Sequence, residues 1–213
     1  VKTLVLLQTH FSRGTMATDL TTDLKTVLKD SLKLLQALVD VVSSHGWLKP
    51  ALACMELSQM VVQGVWDKDP PMLQIPHFTE EIVQRLASLK DPVTSVYGVL
   101  EMEDEDREQA LELSERQMSD VATFCNAYPS IDLSFETDVK DEVETGDLVT
   151  ISVLLQRDVD EDDEEEMAAL GEVVSSRYPH KKMESWWLVV GDNHTNTMHT
   201  IKRVAISTAS KAK

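Results

Sequence analysis

The 213-residue chain has two cysteines, seven glycines and seven prolines; aromatic residues make up 5% of it, and 20 lysines and arginines face 37 acids. Each scarcity excludes a class of function. Cys54 and Cys125 are far apart and both sit in helix-like sequence, which excludes a disulfide framework and reads as reduced thiols packed like small apolar side chains. The glycines are scattered. No Gly-x4-Gly-Lys-Ser/Thr loop and no acidic quartet on a strand is present, so ATP hydrolysis is not expected in this chain. A formal charge of -17 repels phosphate, so strong autonomous nucleic-acid binding is not expected unless the few bases gather on one face. No apolar run approaches the ~18 residues of a membrane span, and the opening VKTLVLLQTHF is too short in apolar core for a secretory signal. The expectation is a protein that works inside the cell and without a membrane. Of the six histidines only His194 and His199 are near one another, which predicts no metal site.

What is present is a globular composition, 42% hydrophobic and 27% charged. From Asp19 to Ser44 one helical stripe carries Leu24, Val27, Leu28, Ser31, Leu35, Leu38 and Val42. Gly46 is placed to end that helix in the left-handed conformation, and Pro50 suits the first turn of the next. The second helix, KPALACMELSQMVVQGVW, is apolar nearly all round, so the pair predicts a helical hairpin with the second member more buried. Pro70-Pro71 breaks it. Thr79 is a candidate N-cap before EEIVQRLASL, Asp91-Pro92 reads as the start of another helix, and Ser114 with Gln117 forms a capping box.

After Pro129 the period changes to two. IDLSFET, VTISVLLQ, SWWLVVGDN and HTIKRVAIS read as half-buried strands, the last two joined by the turn GDNHTN. The predicted fold class is therefore α+β: residues 1–72 the C-terminal part of a helical bundle, 73–128 a helix-loop-helix unit, and 129–213 an immunoglobulin or fibronectin-III-like β-sandwich. Four strands fall short of the seven such a sandwich wants. Between the second and third strands lies an acidic loop, 157–170, opening RDVDEDDEEE; it is too charged to pack and reads as solvated, with a basic partner as its functional alternative.

Four stretches, VDVVSSHGWLKPALACMELSQMVVQGVW, LQIPHFTEEIVQRL, VLEMEDEDREQALELSERQMSDVATFCNAYPSIDLSFE and ESWWLVVGDNHTNTMHTIKRVAI, resemble the Sec-sixty-three homology module of large spliceosomal RNA helicases with two tandem cassettes, where it ends the second cassette. The resemblance covers nearly the whole chain outside the acidic loop. With Val1 in place of an initiator Met, it implies a piece of a longer polypeptide. It also implies a nuclear, non-catalytic scaffold that docks spliceosomal scaffold and other splicing proteins beside upstream helicase cassettes; ATP and Mg would be needed only in those upstream domains. RNA contact would be weak or indirect. Two other readings stay open: a nucleic-acid-gripping accessory domain of a processing helicase, and the equivalent module of the endoplasmic-reticulum translocon component.

Candidate site residues follow from surface chemistry. Arg85 and Lys90 are the bases that could reach a nucleic-acid strand, although their hairpin, SLKDPVTS, lacks glycine and EMEDEDRE follows it. Trp186 and Trp187 point to opposite faces of one strand, so one ring faces away from the sandwich core; with His77, Phe78 and Tyr178 they are the candidate protein-docking anchors.

Overall fold

The computed structural model describes residues 1–139, 143–144, 146–157, 171–206 and 209–212. It is α+β. Among the described residues seven helices come first: α1 (Lys2–Phe11), α2 (Thr18–Ser44), α3 (Leu48–Gln63), α4 (Glu80–Ala87), α5 (Val96–Glu101), α6 (Asp104–Leu111) and α7 (Glu115–Asn126), with a 3-10 turn at Pro71–Gln74. Five strands follow, β1 (Ile131–Thr137), β2 (Ile151–Arg157), β3 (Trp186–Asp192), β4 (Thr197–Val204) and β5 (Ala209–Ala212), in two small sheets ordered β1-β2-β5 and β3-β4. The chain divides into two compact units, one of residues 1–128, 174–181 and 190–200, the other of 129–173, 182–189 and 201–213. Val65 and Met72 pack in one core with Ile82, Leu86, Val99 and Phe124.

In the first unit the α2–α3 hairpin forms as its patterning predicts, with one adjustment. The buried residues of α2 are Leu24, Leu28, Leu32, Leu35, Val39 and Val42, whereas Leu38 is exposed and Ser31 half-buried. The expected stripe ran between two apolar faces, because Leu34, Leu38 and Val41 form a second stripe that remains exposed. Gly46 takes φ 70 behind α2, and its N–H donates to the Ser43 carbonyl at 2.9 Å.

Helix α3 stops at Gln63 and not at Trp66, because Gly64 adopts φ 64 and its N–H turns back to Met60 O at 2.8 Å. Its remaining carbonyls are met from a distance. His10 Nε2 lies 3.0 Å from Val61 O, Ser175 Oγ donates to Val62 O at 2.7 Å, and Arg13 Nε donates to Gly64 O at 3.2 Å. Arg13 also donates to Phe78 O at 3.4 Å and to Leu73 O, so one guanidinium joins the end of α3, the 3-10 turn and the entry to α4. The other end of α3 has Trp47 at its N-cap position with no side-chain cap bond. Asn196, in the β3–β4 turn, supplies the missing acceptors: Lys49 N donates to its Oδ1 at 2.8 Å and Leu48 N to its main-chain O at 3.3 Å. Met198 N donates to Gly46 O at 2.8 Å beside it.

The shorter helices start mostly where their caps are. The Thr79 side chain accepts from Ile82 N, and Ser114 and Gln117 form the expected capping box. The helix expected at Asp91-Pro92 begins instead after Ser95, whose Oγ accepts from Gly98 N at 3.0 Å. Before that point the chain is still tied to α4 by Val93 N to Leu86 O, 3.1 Å.

In the second unit β1 pairs antiparallel with β2 in the register Ile131↔Arg157, Leu133↔Leu155, Phe135↔Val153, and β5 pairs with the other edge of β2. Val153, Leu155 and Ile206 form the core, with Trp186, Leu188 and Val204 from the second sheet packed against it. Arg157 is the last residue of β2, buried and ion-paired with Glu184. The rest of the acidic loop, 158–170, lies outside the described residues.

Candidate protein-docking surface

The β1 strand is an edge: on one side it pairs with β2, and on the other no strand among the described residues adjoins it. Strand alternation places Ile131, Leu133 and Phe135 on the face shared with Val153 and Leu155. Ile131 packs against that core, but Leu133 is 58% exposed and Phe135 68%. The alternate residues Asp132, Ser134 and Glu136 sit opposite Gln156, Leu154 and Ser152, so neither acid has a base across the ladder. In the first unit the exposed apolar side chains include Leu34, Leu38 and Val41 on α2, Leu4 and Val5 on α1, and Trp47, whose ring lies 4.8 Å from that of His45.

The residues expected to dock partners fall into different environments. Phe78 is a correction: it is 4% exposed and belongs to the core with Val83. It precedes the N-cap Thr79, and Val83 is the fourth residue of α4, the arrangement of a hydrophobic staple that fixes the chain's entry into a helix. His77, adjacent, takes φ 66 and stays at the surface with Nε2 2.8 Å from Asp120 Oδ2. Tyr178 is half-buried, its ring 5.4 Å from His180, and burial raises its phenol pKa. Trp186 is the indole turned to the sandwich core, and Trp187, also half-buried, points to the other face of β3. The Nε1 of each is buried with no hydrogen-bond partner.

The candidate nucleic-acid bases are not brought together as a basic face. Arg85 is ion-paired with Glu112, while Lys90 is exposed in the loop after α4. The next long helix after that loop, α6, begins with Asp104, Glu105 and Asp106. Phosphate would meet this region with one base already neutralised and three acids nearby in sequence.

Among the described residues no three His, Cys, Asp or Glu converge as metal ligands. Cys125 is buried in the helical core, where desolvation pushes its thiol up to about 11, so it is inert as a nucleophile near neutral pH. No helix among the described residues is long and apolar enough to cross a membrane.

Sequence reasoning missed both exposed apolar sets. On α2 the signal was present, since its apolar sector includes Leu34 and Val41 beyond the stripe that packs. On β1 it was not, because alternation marks the face of a strand without saying whether anything covers it.

A helical unit followed by two small antiparallel sheets defines the class, and comparison with known proteins gives the family. The chain belongs to the Sec63 Brl domain family, matched over residues 1–213. It is 45% identical over 214 residues to the DExH-box ATP-dependent RNA helicase DExH12 of Arabidopsis thaliana. It is also 44% identical over 213 residues to the U5 small nuclear ribonucleoprotein 200 kDa helicase of Drosophila melanogaster, and equally to that of Homo sapiens. Each match covers 100% of this chain and 10% of the relative, so the chain spans about a tenth of the length of the curated relatives it matches.

Proposed function

We propose that this chain is a non-catalytic module of a large ATP-dependent RNA helicase that acts in pre-mRNA splicing in the nucleus, where it braces the helicase domains and docks splicing proteins. The observation that carries this reading is the end-to-end match at 44–45% identity to helicases that are ten times longer, one group of them named for the U5 small nuclear ribonucleoprotein. With no nucleotide-binding loop in its sequence, the chain would contribute surface and rigidity, while ATP and Mg would act in helicase domains elsewhere in the polypeptide. The ion pair that occupies Arg85 and the overall charge of -17 favour a protein partner over RNA.

The test is affinity purification of the endogenous polypeptide from nuclear extract, with mass spectrometry of its own peptides and its partners. Helicase-domain peptides in the same polypeptide, together with spliceosomal scaffold proteins, are expected. Translocon partners, or a free chain of this length with neither set, would overturn the reading. So would tight, steeply salt-dependent binding of single-stranded RNA by the isolated chain.

A further inference from the structure

We draw no further inference here: the strongest candidate, the cationic side-chain cluster of His10, Arg13 and Arg177 at the C-terminal end of α3, belongs to the closure of that helix already described, with Arg13 engaged by three main-chain carbonyls and His10 set against Val61 O, and nothing in the structure shows what ligand would fill it.

Discussion

The ends of α3 and the inner face of β1 hold backbone and side-chain groups under opposite conditions. At α3 nearly every group that a helix terminus leaves unsatisfied has found a partner from elsewhere in the chain: Asn196 at one end, His10, Ser175 and Arg13 at the other. At β1, side chains that patterning assigns to a core stand exposed, and one row of main-chain groups adjoins no strand among the described residues. The first region is closed around its polar groups and should tolerate little change. The second is open and should tolerate much. This difference teaches where the molecule keeps its stability and where its apolar side chains contribute little to it.

The sharpest test of the closed region is Arg13→Ala. It removes one donor set from three carbonyls in a half-buried setting, where charge-assisted bonds are strong and orphaned acceptors costly. A loss of about 3 kcal/mol is expected, or roughly 6–12 °C in Tm for a chain of this size. Arg13→Lys should recover only part of it, because an ammonium cannot reach all three oxygens from one plane. An unfolding midpoint unchanged in Arg13→Ala would break the comparison outright.

Gly64→Ala comes next. The position has φ 64, and a Cβ there would lie 2.8 Å from Arg177 Cβ and 3.3 Å from His10 Cε1. Left-handed strain and collision together should cost about 2 kcal/mol, read from chemical denaturation. Asn196→Ala should cost about 1 kcal/mol by uncapping α3, and Asn196→Asp, which keeps the acceptor, should lose much less. A cap merely incidental to stability would leave both variants alike.

These contributions differ in how far they were legible beforehand. The capping box at Ser114 and Gln117, the N-cap Thr79 and the left-handed Gly46 are written in neighbouring residues, and local chemistry alone places them. The cap of α3 is not local: Asn196 lies in a hairpin turn that reads in sequence only as a polar turn, 147 positions from the amide it accepts from. Arg13 is similar, since an arginine after an apolar helix reads as an ordinary surface base until the fold surrounds it with carbonyls. The error at Phe78 has the reverse cause. An aromatic between Pro76 and a helix cap looks available to a partner, yet that position is the one from which a side chain staples back into the core.

His10 gives a smaller effect whose sign is diagnostic. Burial, and then the nearby Arg177 and Arg13 charges, hold its pKa below the ordinary 6.5, despite the opposing bond to Val61 O. The folded protein thus keeps the imidazole neutral where the unfolded chain takes up a proton. Its contribution to stability is complete above about pH 6.5 and declines as the pH falls through the window between 6.5 and the depressed folded value. Urea midpoints measured from pH 7.5 down to 5 should fall more steeply for the wild type than for His10→Gln, which can still donate to Val61 O but does not titrate. Parallel slopes would show that folding does not lower the His10 pKa.

The smallest effect belongs to the open region, and its smallness is the point. Phe135→Ser removes a large aromatic ring from a position predicted by alternation to be core, where truncation ordinarily costs several kcal/mol. With 68% of the residue already in solvent, little apolar area returns to water on unfolding, and the expected change is within about 0.5 kcal/mol. Val153→Ala, directly across the ladder but 7% exposed, should cost about 2 kcal/mol. The two neighbours share one face and differ only in how much of each side chain is already in solvent. If Phe135→Ser proved as damaging as Val153→Ala, the β1 face would be closed in solution, and the contrast with α3 would disappear.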